Sequence, residues 1–243
     1  MKHTTKKQTK HPWYSIARLL IQLVWAGLMV AGLIYKSAAL VIGFMALSVL
    51  FGNAFCGWLC PFGSIQEYLS RLGSKITRRK LRLPVWLDRW LSLFRYVLLG
   101  LLLAGVWQLW FFNDPYTTFL AVLDANFAYI ATGSILFLTA FLVLSMFMDR
   151  PFCRYLCTEG AQYGLTSLIR VFTITRNAQS CTSCKLCDKA CPSGISVSTK
   201  SQVRDAACID CLECIKACPQ KGTLRFRPAV PNLKELVQWR KTK

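Results

Sequence analysis

Cys181-Thr182-Ser183-Cys184-Lys185-Leu186-Cys187-Asp188-Lys189-Ala190-Cys191-Pro192 and Cys208-Ile209-Asp210-Cys211-Leu212-Glu213-Cys214-Ile215-Lys216-Ala217-Cys218-Pro219 are the two stretches on which the reading of this chain turns. Both run C-x2-C-x2-C-x3-C-P, the spacing with which iron–sulfur proteins hold [4Fe–4S] clusters. Three thiolates two residues apart wrap three corners of a cubane in one tight turn. The fourth follows on a short helix, points away, and is closed off by proline. In a doubled motif the fourth cysteine serves the other cluster. The expected sets are therefore Cys181, Cys184, Cys187 and Cys218 for the first cluster, and Cys208, Cys211, Cys214 and Cys191 for the second. Zinc fits less well, because zinc sites take cysteines in pairs split by a longer spacer.

Around these motifs the spacing predicts a small α+β domain of the bacterial 2[4Fe–4S] ferredoxin type over residues 170–228. Short strands are expected around Phe172–Thr175 and Leu224–Arg227. The rest of the chain has another character. The whole has 243 residues, 12 cysteines, 54% hydrophobic residues and a net charge of +19. So apolar a chain with such a charge excess reads as a membrane protein with basic loops rather than a soluble domain.

Four apolar stretches of about 20 residues meet the length needed to cross a bilayer: 16–35, 37–59, 91–112 and 127–148. Arg18 and Gln22 lie near the start of the first, where an arginine is expected to snorkel to the interface. The lysines of the N-terminal arm, and Arg71 to Arg89 after the second stretch, set the orientation by the positive-inside rule. The expected architecture is thus a basic arm (1–15), a four-helix membrane domain (16–165), the ferredoxin domain and an amphipathic tail (229–243). Both termini and the cluster domain would face the cytoplasm, in a multi-pass protein of the bacterial inner membrane. The first apolar stretch is too long for a secretory signal and reads as a retained span. Basic loops that report topology leave nucleic acid without a role, and a reducing compartment disfavours a disulfide framework.

Four cysteines remain. Cys56 and Cys60 form one C-x3-C pair, Cys153 and Cys157 a second, and on a helix both sulfurs of a pair would share one face. Their surroundings repeat: Phe55-Cys56-Gly57-Trp58-Leu59-Cys60 parallels Phe152-Cys153-Arg154-Tyr155-Leu156-Cys157, and Gly63 matches Gly160. The apolar part therefore reads as a duplicated two-helix unit. Its four thiols are candidates for a third redox or metal site, set against the plainer reading of buried structural thiols.

Phe55–Gly63 (FCGWLCPFG), the second C-x3-C and the doubled cluster motif together resemble the NapH-type membrane ferredoxins, which are related to the C-terminal membrane halves of NosR-type proteins. The resemblance covers nearly the whole chain. It implies a quinol dehydrogenase or electron-transfer subunit that passes electrons between the quinone pool and a partner redox protein. One departure stands out, because Thr158 follows Cys157 where the family has proline. The length also leaves no room for the N-terminal flavin-binding extension of a full NosR-type protein.

The two histidines, His3 and His11, both lie in the N-terminal arm, so a haem held by two helical histidines is not expected. No carboxylate sits in the middle of an expected span, which argues against an internal proton relay. Quinone contacts are expected either around Trp58, Gln66, Glu67, Asp149, Glu159 and Gln162, or in the segment Asn113–Asn126. Two other functions compete: a metal reductase or cofactor-assembly factor, and a redox-sensing regulator, each using the C-x3-C cysteines.

Overall fold

The computed structural model describes residues 12–30, 38–77, 81, 83–105, 118–119, 121–122, 132–220 and 222–230. Its helices, in chain order, are α1 (Pro12–Val30), α2 (Ala38–Phe51), α3 (Pro61–Thr77), α4 (Val85–Leu103), α5 (Thr132–Phe147), α6 (Pro151–Tyr155), α7 (Thr158–Thr166), α8 (Leu186–Ala190) and α9 (Glu213–Ala217). A π-helical turn covers Phe55–Leu59, and two strands, β1 (Phe172–Arg176) and β2 (Leu224–Pro228), pair with each other.

The expected fold of four transmembrane helices is corrected here. Among the described residues, no helix is long and apolar enough to cross a membrane. At about 1.5 Å per residue, α2 (14 residues) and α5 (16 residues) extend only about 21 and 24 Å, against a hydrocarbon core of about 30 Å. Helix α4 has 19 residues but carries Asp88, Arg89 and Arg95. Arg18 of α1 does not snorkel outward, since it is buried and its Nε donates to Gly57 O at 2.6 Å. The multi-pass inner-membrane location, with both termini and the cluster domain on the cytoplasmic face, rested on those spans and falls with them. Residues 1–11 of the basic arm, Arg78–Lys80, most of Asn113–Asn126 and the tail from residue 231 lie outside the described residues.

The chain divides into two compact units. One comprises Met1–Ile21, Ile42–Trp58 and Tyr163–Thr242, the other Gln22–Val41, Leu59–Gln162 and Lys243.

In the first unit β1 and β2 are antiparallel, in register from Phe172↔Pro228 to Arg176↔Leu224. Short β-branched and aromatic runs such as Phe-Thr-Ile-Thr favour this pairing. Ile174 and Leu224 then join Ile195, Val197 and Val203 in a core that also contains Cys187, Cys208 and Cys214. The end of α2 is tied to the sheet: Val171 N–H donates to Val49 O at 3.0 Å, and Phe51 stacks on Phe172 with ring centroids 5.2 Å apart.

In the second unit α3 packs along α5. Gly73 permits the approach, because a Cβ there would lie 1.8 Å from Met146 O. Ser70 Oγ donates to Asp149 Oδ1 at 2.5 Å. Glu67 receives Arg150 and Arg71, each at 2.5 Å. Phe62 and Phe152 meet edge to face and are both almost wholly buried. Asp88 of α4 accepts from Arg154 at 2.7 Å and from the Tyr155 hydroxyl at 2.8 Å, which joins α4 to α6.

Candidate functional site

The two cysteine motifs fold by the same local device. In the first, Ser183 and Lys185 take the left-handed conformation (φ 53° and 56°), and in the second Asp210 and Leu212 do so (φ 48° and 59°). Each costs roughly 1 kcal/mol or more for a residue with a Cβ, so the alternation persists only where surrounding structure demands it. Here it coils the chain tightly enough to set three successive cysteines around one cavity. The five-residue helices α8 and α9 then carry the chain to Cys191 and Cys218, which end them in extended backbone (ψ 115° and 121°).

Two cavities result. One is lined by Cys181, Cys184, Cys187 and Cys218, with Arg176, Lys185 and Leu224 among its other walls. The second is lined by Cys191, Cys208, Cys211 and Cys214 against Ile174, Ile195, Val197 and Val203. Each thus gathers three cysteines from one motif and the last of the other. Among the described residues, no three His, Cys, Asp or Glu side chains converge to hold a single metal ion. Four thiolates around one zinc would stand about 2.3 Å from it. Four sulfurs spread around a cavity, rather than gathered on one point, suit a four-iron cubane instead.

Burial raises most of these thiols. It pushes Cys191 and Cys208 up to about 12 and Cys187 to about 11, and lifts Cys214 well above the usual thiol value. Such groups stay protonated at neutral pH unless a metal takes the proton's place, which is what cluster ligands require. Cys181 shifts the other way, through a backbone hydrogen bond from Ser183 and a contact with Arg176. Cys184 is exposed, so the first cavity reaches the surface.

The second motif is covered. Trp58 Nε1 donates to Asp210 O at 3.0 Å, and a Cβ on Gly57 would stand 2.0 Å from Ile209 O. Beneath the loop, Arg170 (wholly buried) donates to Asp210 Oδ2 at 2.8 Å. Neither Arg170 nor Asp210 emerged as functional from the sequence. The one available signal was an aspartate at the motif position that Ser183 occupies in the first copy.

The C-x3-C pairs do not ride on continuous helices as expected. Cys56 sits in the π-helical turn and Cys60 just before α3, while Cys153 lies in α6 and Cys157 just before α7. The local repeat is nonetheless close: Gly63 N–H meets Cys60 Sγ at 3.4 Å, and Gly160 N–H meets Cys157 Sγ at 3.3 Å. Thr158 opens α7 as Pro61 opens α3, so the departure from proline leaves the helix start intact. Cys60, Cys153 and Cys157 belong to the second unit and Cys56 to the first. The expected quinone cluster is divided in the same way, with Trp58 in the first unit and Gln66, Glu67, Asp149, Glu159 and Gln162 in the second. Gln66 is wholly buried; its Nε2 lies 3.7 Å from Cys153 Sγ, and among the described residues its Oε1 has no hydrogen-bond partner.

Comparison with known proteins bears on both cysteine sets. A family described as a 4Fe-4S binding domain matches residues 33–84 and 130–176, the stretches that carry the C-x3-C pairs. A 4Fe-4S dicluster domain matches residues 173–222. The putative electron transport protein YccM of Escherichia coli is 37% identical over 176 residues, 70% of this chain and 49% of that protein. Protein MJ0749 of Methanocaldococcus jannaschii is 29% identical over 92% of this chain and 82% of its own length. The ferredoxin-type protein NapH of Haemophilus influenzae is 31% identical over 64% of this chain and 52% of NapH. The chain thus spans about half the length of YccM and of NapH. No solved structure matches it.

Proposed function

From the premise that the chain belongs to the NapH-type ferredoxins, related to NosR, NirI and MauN, and is an iron–sulfur electron-transport protein, we propose that it passes electrons between a quinol and a partner oxidoreductase through two [4Fe–4S] clusters. In this reading Cys181, Cys184, Cys187 and Cys218 hold the first cluster, and Cys208, Cys211, Cys214 and Cys191 the second. The observation that carries it is the pair of cavities, each lined by three cysteines of one motif and the fourth of the other.

Each bound cluster supplies one-electron redox chemistry. Oxidation of a quinol releases two electrons and two protons, so two one-electron sites match it in number. The protein's own residues do the rest. The apolar wall of Ile174, Ile195, Val197 and Val203 keeps water from the second site, while exposed Cys184 brings the edge of the first to the surface where a partner redox protein docks. Trp58 and Gly57 press on the second motif, so that loop is held by the segment carrying Cys56.

The quinol contact is assigned to Gln66, whose buried Oε1 is an acceptor in want of a hydroxyl donor. The C-x3-C cysteines Cys56, Cys60, Cys153 and Cys157 are proposed as further redox or metal ligands, a reading supported by the 4Fe-4S binding family matching over both pairs.

The test is reduction of the anaerobically prepared protein by a quinol analogue, followed by electron paramagnetic resonance. Cluster signals should appear with the wild-type chain and fall several-fold in rate for Gln66→Leu. Clusters that dithionite reduces but that stay oxidised with every quinol would defeat the proposal.

A further inference from the structure

The two cluster sites share a backbone but not an electrostatic environment, and the difference lies under the second motif. Asp210 stands between Cys208 and Cys211, is almost wholly buried, and has its Oδ1 3.5 Å from Cys208 Sγ. With the thiol proton replaced by iron, that carboxylate faces a thiolate. Unrelieved, it would repel the added electron and oppose assembly of the site.

Arg170 provides the relief. Its NH1 donates to Asp210 Oδ2 at 2.8 Å, its NH2 to Val203 O, and its Nε to Thr173 Oγ1 at 3.3 Å. The guanidinium is wholly buried, so little solvent screens it. Burial opposes its charge, but Asp210 and Cys208 hold its proton more tightly than usual. The end of α2 closes the cage: Gly52 has φ +75°, and a Cβ there would lie 2.2 Å from Asp210 Oδ2 and 2.7 Å from Arg170 NH1.

Among the described residues, the first motif is arranged differently. Ser183, at the position of Asp210, is exposed. Asp188 Oδ1 is 3.7 Å from Cys187 Sγ, but that carboxylate is engaged by Ser198. Arg176, beside Cys181, donates to Lys200 O at 3.0 Å.

We propose that Arg170 and Asp210 are positioning residues that set the reduction potential of the Cys208/Cys211/Cys214/Cys191 cluster separately from that of its neighbour. The proposal rests on the reading that those cysteines hold a cluster. Cluster potentials follow local charge, hydrogen bonding to sulfur and burial, and all three converge on this pair. A cation nearby stabilises the reduced form and an anion the oxidised form. Removing Arg170's charge therefore lowers the potential, and removing Asp210's raises it.

The experiment is a potentiometric titration of the anaerobically loaded full chain by electron paramagnetic resonance, with the second cluster identified by the signal that Cys214→Ser alters. Arg170→Gln should move that midpoint to more negative potential by at least tenfold in the reduced-to-oxidised ratio, about 59 mV for one electron. Asp210→Asn should move it the opposite way, and Arg170→Lys should largely restore it. The first cluster's midpoint should stay in place throughout. Shifts of the same sign in both charge-removing variants, equal movement of both clusters, or no movement would overturn the proposal. A merely structural pair would loosen the site and give one sign for both. Should Arg170→Gln lose its clusters, Asp210→Asn carries the same sign test alone, and a fall or no change there overturns it. A wild-type chain with only about four irons would instead defeat the underlying two-cluster reading.

Discussion

Gly57 shows what a single residue contributes to this site. Its missing side chain lets the Phe55–Leu59 turn lie directly on the second cluster motif, where a Cβ would come within 2.0 Å of Ile209 O. That obstacle is backbone and cannot swing aside. Gly57→Ala is therefore expected to cost about 1–3 kcal/mol, as overpacking does, and to lower the melting temperature of the loaded protein. Unchanged melting would mean that the turn does not bear on the motif. The sequence pointed to FCGWLC for its cysteines and left the glycine unread, because its partner is some 150 residues away. Arg170 and Asp210 were hidden for the same reason. The eight motif cysteines were legible because their information is local: spacing alone says which three share a turn, and the following proline says where the fourth stops.

At the scale of elements, helix α3 gathers the second unit's polar interior. Glu67 and Arg150 are both nearly buried and meet at 2.5 Å, with Arg71 on the other carboxylate oxygen. Glu67→Gln strips the charge partner from a buried guanidinium, an effect of about 3–5 kcal/mol in comparable pairs. A clear loss of stability against urea is expected, and a variant as stable as the parent would show the pair to be idle. The strands around Phe172 and Leu224 were readable from their β-branched and aromatic content, and they formed there. The long apolar stretches were not read correctly. Hydropathy averages over a window, and the stretch 37–59 contains a break that averaging conceals: α2 stops at Phe51, Gly52 turns left-handed, and a π-helical turn follows. Likewise α4 begins at Val85 and so takes in Asp88 and Arg89 in addition to Arg95.

At the scale of the whole molecule, the chain combines a cluster-binding motif pair with helical segments that carry a second cysteine set. The doubled motif and the matched C-x3-C pairs were visible as repeats, and repetition survives without knowledge of the fold. The division of the C-x3-C thiols between two units was not visible, since it depends on how the chain is cut in space rather than in order. The central claim, two [4Fe–4S] clusters on eight cysteines, is tested most directly by iron and acid-labile sulfide analysis of the anaerobically isolated full chain. The account predicts at least about eight irons and eight sulfides per chain, with more if the C-x3-C cysteines hold a further cluster. About four of each, or zinc in place of iron and sulfide, would contradict it.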